Sequence, residues 1–261
     1  MNSEDFWNGR FCIVTGSASG IGLATSKLLT EKGATVLGLD KSNDAELRGG
    51  VFSQSNNSYR TCDLSKPQEI EKVFAEFKNS KLSALFNVAG IPTNGLGIED
   101  TSVSDWDQII NVNLRAVFLT SKYSLPLFRN NSGGCIVNVS SVHAYSTMKN
   151  HAAYAASKGG MNSLTTGLAI ELNPESIRVV GVAPGSIRTP MTTTDLQRDA
   201  QLLNSLGFPT DGKSIGHVGE PEEIARILAW CATPDASFIT GTTIQADGGL
   251  LSRLGYERGV K

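Results

Sequence analysis

Residues 10–22 read RFCIVTGSASGIG, and this stretch decides the fold that the sequence predicts. Residues 10–15 are a short apolar run typical of a buried β-strand, and a glycine-rich turn then leads into residues with helical spacing. Gly16 permits a tight turn, Gly20 a close approach of the backbone to a ligand, and Gly22 close packing of helix on strand. Free N–H groups at the start of such a helix suit a pyrophosphate. The spacing is GxxxGxG rather than GxGxxG, so a plain tight turn remains an alternative at this point.

The rest of the chain repeats this alternation of strand and helix. The predicted strands cover residues 10–15, 34–39, 59–62, 82–88, 135–139, 178–182 and 242–246, and the predicted helices cover residues 21–32, 67–79, 103–128, 152–172 and 221–231. We expect Ser65 to cap the second helix and Pro126 to break the third near its end. Alternating strands and helices indicate right-handed crossovers and a parallel sheet covered on both faces. The sequence therefore predicts one α/β domain over residues 1–261, a Rossmann-type doubly wound parallel sheet.

Composition and charge exclude several classes of protein. Hydrophobic residues make up 40% of the 261 residues and charged residues 18%, so a sizeable core is expected and disorder is not. The formal net charge of −2 gives no reason to expect a nucleic-acid partner or an anionic membrane surface. The first ten residues lack the apolar segment of a secretory signal, and no apolar run approaches the roughly 18 residues that span a bilayer. Neither nucleic acid nor a membrane is therefore expected as a partner.

The four cysteines, Cys12, Cys62, Cys135 and Cys231, are scattered along the chain without a CxxC pair. This distribution favours buried free thiols in a reducing compartment over disulfides. We therefore expect a cytoplasmic location. No spacing of His, Asp and Glu suggests a metal site, so no metal is expected either.

Two acidic residues follow predicted strands and are candidates for contacts with an adenosine. Asp40 ends the second strand, where a carboxylate can accept hydrogen bonds from both ribose hydroxyls and repels a 2′-phosphate. The glycine-rich loop around Ser19 carries no arginine or lysine to hold that phosphate, although Lys41 weakens the preference for NAD over NADP. Asp63, next to Leu64 at the end of the third strand, is placed to meet the adenine amino group. The alternatives are a turn residue for Asp40 and a turn or helix-capping role for Asp63.

Tyr154 and Lys158 stand four residues apart on one predicted helix, so their side chains project to the same face. A free tyrosine has a pKa of about 10 and is a poor base at neutral pH. A neighbouring ammonium group stabilises the phenolate and lowers that pKa, which suits the pair to moving a proton to or from an alcohol oxygen. The alternative is an ordinary Tyr/Lys pair on a solvated helix face.

YAASK, together with TGSASGIG, NVAG and APG at their present positions, closely resembles the short-chain dehydrogenase/reductase family, from about residue 10 to residue 249. The resemblance implies an NAD(H)-dependent oxidoreductase in which Tyr154 is the general acid/base. Lys158 would hold the nicotinamide ribose and lower the tyrosine pKa. Ser141 would hydrogen-bond the substrate oxygen, and Asn113 would support a proton-relay water beside the lysine.

The resemblance also implies a set of cofactor-binding residues. Asn87, Ala89 and Gly90 correspond to a turn that contacts the cofactor and stabilises the central sheet. A later segment would position the nicotinamide. The full predicted cofactor site consists of Gly16, Ser19, Gly20, Ile21, Gly22, Asp40, Asp63, Leu64, Asn87, Ala89, Gly90, Tyr154, Lys158, Pro184, Gly185, Ile187 and Thr189. NAD is the expected cofactor and NADP the less favoured one.

The substrate is a small-molecule alcohol or ketone, and its class stays open at this point. A sugar and a larger apolar ketone such as a steroid or terpenoid both fit a substrate lid at about residues 190–216. His143 and His151 flank the candidate active site and are candidates for substrate contact or for a plain surface role. Two other classes are a non-catalytic NAD(H)-binding regulator and a scaffold for a non-redox reaction. Members of the family are often tetramers, so a homo-oligomer (a tetramer or a dimer) is expected.

Overall fold

The strands form one parallel sheet that is seven strands wide. The computed structural model describes residues 5–43, 50–53, 56–191 and 216–252. The strands are β1 (Phe11–Thr15), β2 (Thr35–Asp40), β3 (Ser58–Thr61), β4 (Leu82–Asn87), β5 (Gly134–Val139), β6 (Ile177–Pro184) and β7 (Thr243–Ala246). Their order is β3-β2-β1-β4-β5-β6-β7, and every neighbouring pair is parallel. The predicted doubly wound parallel sheet is confirmed.

Helices cover both faces of this sheet. They are α1 (Gly20–Glu31), α2 (Pro67–Glu76), α3 (Val103–Ile110), α4 (Ala116–Asn130), α5 (Ala152–Leu172) and α6 (Pro221–Cys231). Successive residues of a strand point to opposite faces, and in β1 Val14 belongs to one apolar cluster and Ile13 to the other. Helices α1 and α6 contribute to the first cluster, and α2, α4 and α5 to the second. The strands are apolar on both sides because both sides are covered.

The predicted cap of α2 is wrong. Helix α2 begins after Lys66, which makes no side-chain capping hydrogen bond. The Ser65 hydroxyl donates instead to Oδ1 of Asp63 at 2.7 Å, and the Ser65 amide donates to the same oxygen at 3.0 Å. The charged carboxylate accepts both hydrogen bonds, so the serine closes a turn ahead of the helix.

The predicted break at Pro126 is also wrong, and the irregularity of the long helical region lies elsewhere. Helix α4 runs through Pro126, which is exposed together with Lys122, so the carbonyl that proline leaves without a donor faces the solvent side. Leu127 and Phe128 follow it into the core. A single π-helical turn, Asn111–Arg115, joins α3 to α4, and such turns occur frequently at functional sites.

The four cysteines are buried and free, as predicted. Among the described helices, none is both long enough and apolar enough to cross a bilayer.

A chain of buried side-chain hydrogen bonds crosses the middle of the sheet. Thr120 of α4 donates to Asn87 of β4 at 2.7 Å, and Asn87 donates to Asn138 of β5 at 2.9 Å. Asn138 in turn donates to Thr165 of α5 at 3.0 Å. All four residues are buried, so each depends on the next for a partner that water cannot replace. These hydrogen bonds tie β4 to β5 and both strands to α4 and α5, which pack on the same face of the sheet.

All strands end at one edge of the sheet, and the candidate site lies there. After β1 the chain leads to β2 on one side, whereas after β4 it leads to β5 on the other side. The connections therefore diverge between the ends of β1 and β4 and leave a crevice. Ligands of open parallel sheets bind at such a switch point.

Replacing Asn138 with alanine should destabilise the fold, because the Asn87 amide and the Thr165 hydroxyl would both lose a buried partner. We expect the free energy of unfolding in urea to fall by about 2 to 4 kcal/mol. The exposed Asn79→Ala serves as the control and should change it by less than about 0.5 kcal/mol. If Asn138→Ala lowered the free energy of unfolding no more than the control does, the structural role of these buried hydrogen bonds would be contradicted.

Candidate active site

A cleft of about 540 Å³ opens at the carboxyl edge of the sheet. All of the predicted site residues line it except two asparagines, Asn87 and Asn113. The predicted residues that line the cleft are Gly16, Ser19, Gly20, Ile21, Gly22, Asp40, Asp63, Leu64, Ala89, Gly90, Ser141, Tyr154, Lys158, Pro184, Gly185, Ile187 and Thr189. The fold thus brings residues from the whole length of the chain to one cavity.

The glycine-rich loop is packed too closely for side chains at two of its positions. Gly16 has a φ of +69°, and a Cβ there would lie 2.8 Å from Cα of Ala89. A Cβ on Gly22 would overlap the carbonyl oxygen of Gly16. These contacts match the tight turn and the close helix packing that the glycine spacing predicts.

The hydroxyl of Thr15 joins this loop to the turn after β4. Its oxygen accepts hydrogen bonds from the amides of Val88 at 3.0 Å and Ala89 at 3.1 Å. Thr15 stands immediately before the glycine loop, and its position is the only signal in the sequence for this role. Because of it, the two turns that border the cleft form one wall.

The start of α1 has the features of an anion site. Ser19 precedes the helix and makes no side-chain capping hydrogen bond, so the first-turn amides keep their free N–H groups. The hydroxyl of Ser17 is buried and has no hydrogen-bond partner among the described residues. The uncapped helix start fits a polar cofactor such as a dinucleotide, whereas the Ser17 hydroxyl lies beside Gly38 of β2 and does not line the cleft.

Two carboxylates border the adenosine end of the predicted site. Asp40 accepts hydrogen bonds from the amides of Ala18 at 3.1 Å and Ser42 at 3.0 Å, one on each oxygen. Each oxygen keeps a further lone pair, so the carboxylate can also accept from ribose hydroxyls. At Asp63 burial works to raise the pKa, but hydrogen bonds from Ser65 and the charge of Lys66 outweigh it and lower that pKa. These contacts are those of a turn residue.

Tyr154 and Lys158 lie on one face of α5, as the spacing predicts. Tyr154 is half-buried at the cleft, and Lys158 is almost fully buried. The Lys158 Nζ donates to the carbonyl oxygen of Val139 at 2.8 Å and lies 5.7 Å from the centre of the Tyr154 ring. Ser141 follows β5 and lines the same part of the cleft. The pair is not on a solvated helix face.

Burial dominates the protonation of this pair. Desolvation raises the pKa of Tyr154, and a hydrogen bond with Ser141 opposes it without overcoming it. Desolvation also lowers the pKa of Lys158 to about 8. The sequence predicts that the ammonium lowers the tyrosine pKa; in this structure Ser141 provides the lowering interaction, and burial shifts the equilibrium of each group towards its neutral form.

Asn113 lies in the π-helical turn and is fully buried. Its Oδ1 accepts from the Ile91 amide at 2.8 Å, and its Nδ2 donates to the Ile91 carbonyl at 3.0 Å and to Ser157 Oγ at 3.3 Å. The side chain therefore fastens the loop after β4 to α5. Asn87 is likewise occupied, in the hydrogen-bond chain across the sheet.

The cleft has further lining residues outside the predicted catalytic and cofactor-binding sets, and two of them, Pro190 and Met191, begin the predicted lid. Most of them are neighbours of motif residues, and the signal that points to them is adjacency alone. They are Lys41, Cys62, Val88, Ile91, Pro92, Gln108, Val112, Val139, Ser140, Pro190 and Met191. Of the predicted lid at 190–216, residues 192–215 lie outside the described residues.

Comparisons with known proteins identify the class of this chain. A family model described as enoyl-(acyl carrier protein) reductase matches residues 16–251. The 3-oxoacyl-(acyl-carrier-protein) reductase FabG of Thermotoga maritima is 36% identical over 250 residues, 93% of this chain and 98% of that protein. Cyclopentanol dehydrogenase of Comamonas sp. is 35% identical over 255 residues, 93% of this chain and 97% of that protein.

A solved structure agrees with these relatives. It is provisionally described as an NAD(P) dependent gluconate 5-dehydrogenase from Beutenbergia cavernae with bound NADP at low occupancy. It matches with a TM-score of 0.85 at 27% identity and covers 94% of this chain and 98% of that chain. The chain belongs to the short-chain dehydrogenase/reductase family. It is therefore of an oxidoreductase type that acts on CH–OH groups. The family binds NAD or NADP as its cofactor.

Replacing Gly22 with alanine should disturb the glycine loop, because the new methyl group overlaps the Gly16 carbonyl. We expect the dissociation constant for NADH, measured by fluorescence titration, to rise by at least about tenfold, or about 1.4 kcal/mol. Gly167→Ala is the matched control. Its Cβ would meet nothing within 4 Å, so binding should not change and helix α5 should gain up to about 1 kcal/mol. Wild-type affinity in Gly22→Ala would refute this view of the loop.

Proposed function

We propose that this protein is an NAD(H)-dependent oxidoreductase that interconverts a secondary alcohol and a ketone, with Tyr154 as the general acid/base. The observation that carries the proposal is the convergence of Tyr154, Ser141 and Lys158 at one part of the cleft, with the glycine loop at another part. A half-buried phenol beside a serine hydroxyl and a buried amine is suited to proton transfer at an alcohol oxygen.

The cofactor would be held along the cleft from Asp40 to Lys158. The free amides at the start of α1 suit the pyrophosphate, and the carboxylate of Asp40 suits the adenosine ribose and disfavours a 2′-phosphate. Lys158 would hold the nicotinamide ribose, and Asp63 would face the adenine. When bound, the nicotinamide supplies a hydride acceptor for oxidation and a hydride donor for reduction.

The side chains of the chain would carry the proton and the developing charge. In oxidation the Tyr154 phenolate takes the proton of the alcohol, and in reduction the phenol returns it to the carbonyl oxygen. The hydroxyl of Ser141 donates to that oxygen and stabilises its charge. Lys158, when protonated, favours the phenolate, and Asn113 holds the loop beside it so that a relay water would fit there.

The descriptions of the relatives indicate which chemical group the substrate carries. The named relatives act on a 3-oxoacyl group and on a cyclic secondary alcohol, and the solved neighbour is described as a sugar-acid dehydrogenase. All three descriptions support a substrate whose reacting carbon is secondary and bears oxygen. A panel of cyclic alcohols, aldoses, polyols and steroid and terpenoid alcohols, with NAD and NADP, tests this. Product formed without any change in nicotinamide absorbance would favour a scaffold for a non-redox reaction. NADH binding without any product would favour a non-catalytic regulator.

We also propose that the chain forms a homo-oligomer, a dimer or a tetramer. Val103 and Trp106 of α3 and Phe118 of α4 are exposed apolar side chains on consecutive helices. Val103 and Trp106 stand three residues apart and share one face of α3, and grouped exposed apolar side chains are typical of protein interfaces. All three lie within the helical region that the sequence predicts at 103–128.

Replacing Tyr154 with phenylalanine removes the proton carrier and keeps the ring. We expect the turnover number for the best alcohol of the panel to fall by about 10²- to 10⁴-fold, while the dissociation constant for NADH stays the same. Tyr123→Phe is the control, since Tyr123 does not line the cleft, and it should retain wild-type turnover. Loss of NADH binding together with activity would refute the assigned role.

Replacing Asp40 with alanine should relax the choice of cofactor, because the carboxylate no longer repels a 2′-phosphate. We expect the ratio of kcat/KM for NAD to that for NADP to fall by at least about tenfold, or about 1.4 kcal/mol. The exposed Asp235→Ala changes the net charge equally and should leave the ratio alone. An unchanged ratio in Asp40→Ala would remove Asp40 as the ribose ligand.

A further inference from the structure

Two histidines from different elements stack on each other beside the proposed catalytic tyrosine, and one of them, His143, packs on its ring. His143 lies in a 3-10 turn, Val142–Ala144, directly after β5, and His151 stands at the start of α5. Their rings stack face to face, with centroids 4.8 Å apart and an interplanar angle of 5°. The ring of His143 also meets the ring of Tyr154 at 5.5 Å and 85°, an edge-to-face contact.

His143 contacts the proposed catalytic serine as well. Its backbone N–H donates to Ser141 Oγ at 3.2 Å. A serine hydroxyl has two lone pairs and one hydrogen, so this bond occupies a lone pair and leaves the hydrogen of Ser141 for the Tyr154 oxygen or, in the proposed reaction, a substrate oxygen. One residue thus touches Ser141 through its main chain and Tyr154 through its ring.

Local hydrogen bonds fix the orientation of both imidazoles. His143 Nδ1 lies 2.8 Å from Thr147 Oγ1, and His151 Nδ1 lies 2.9 Å from the carbonyl oxygen of Lys149. Because a carbonyl only accepts, Nδ1 of His151 carries the hydrogen. The residue before His151, Asn150, has a φ of +68°, and its carbonyl accepts from Thr93 Oγ1 at 3.0 Å. The loop is therefore anchored where it delivers His151 to the stack.

At neutral pH the His143 ring contacts Tyr154 as an uncharged aromatic ring. Burial and the neighbouring His151 lower the pKa of His143 to about 4, so its ring is uncharged there. A neutral imidazole packs edge-to-face on a phenol as another aromatic ring does. No electrostatic role of His143 is needed for the contact with Tyr154.

We propose that the stacked imidazoles of His143 and His151 are positioning residues, which hold the Tyr154 hydroxyl at a fixed place relative to the Ser141 hydroxyl. The proposal rests on the proposed function, in which both hydroxyls serve one substrate oxygen. A misplacement of about 1 Å in such an arrangement costs on the order of a hundredfold in rate. The pair packs on Tyr154 through His143, from the side of the loop after β5.

The test compares His143→Ala, His143→Phe, His151→Ala and the double alanine variant. His143→Ala should lower kcat by at least about tenfold with an unchanged KM and NADH affinity, since alignment and not binding is lost. His143→Phe keeps a ring in the stack and should restore kcat to within about threefold of wild type. The double variant should be no slower than the slower single one, because both histidines act through one contact. Met148→Ala, an exposed residue of the same loop, is the control.

Two outcomes overturn the proposal. If His143→Phe is as slow as His143→Ala with a raised KM, a ring nitrogen binds the substrate and the pair is not a brace. If every variant keeps wild-type kcat, the pair has no part in the reaction. Melting temperatures are measured for all variants, and should His143→Ala fail to fold, His151→Ala and His143→Phe still separate these cases.

A second measurement does not depend on turnover. The pKa of the Tyr154 phenol is obtained from the ultraviolet difference titration of each variant against the same variant carrying Tyr154→Phe. His143→Ala should lower this pKa because water reaches the phenol, and His143→Phe should not. An unchanged pKa in both would refute the packing contact. If the wild-type protein turned over no alcohol while this titration behaved as expected, the proposed function would fail and the positioning of Tyr154 would stand.

Discussion

The parallel arrangement of the strands is the constraint on which the site depends. Because all seven strands end at one edge, the loops after β1, β2, β4, β5 and β6 meet there although they are far apart in sequence. The connections diverge between β1 and β4, and the Thr15 hydroxyl holds the two turns together. The buried Asn87–Asn138 bond joins β4 to β5, the strand that precedes Ser141.

In the proposed mechanism, the chemistry of the site depends on how deeply Tyr154 and Lys158 are buried. Removing a phenol and an amine from water favours the neutral form of each, which is the state of Tyr154 that reduction of a ketone needs. Oxidation needs the phenolate, and its cost is lowered by the Ser141 hydroxyl and by any positive charge on Lys158. Alcohol oxidation should therefore be favoured as the pH rises, and ketone reduction as it falls.

Local signals in the sequence predict much of this molecule. The bounds of α5 and α6 agree with the predicted helices 152–172 and 221–231, because apolar periodicity and the flanking prolines are local. The spacing of Tyr154 and Lys158 is also a local signal, and it predicts that both side chains lie on one face of α5. The Asn87–Asn138 bond and the π-helical turn at Asn113 depend on strand register and tertiary packing, which no local pattern carries. The stack of His143 on His151 needs a loop to fold back on a helix, so the sequence leaves both roles open.

The most direct test of the central claim follows one hydrogen atom. An alcohol oxidised by the protein is prepared with deuterium on its carbinol carbon, and the reduced nicotinamide is analysed by NMR. Direct hydride transfer beside Tyr154 predicts that deuterium appears at C4 of the nicotinamide, and that Tyr154→Phe forms this labelled product at least about a hundredfold more slowly. A ketone product formed while C4 carries only solvent hydrogen would contradict the account.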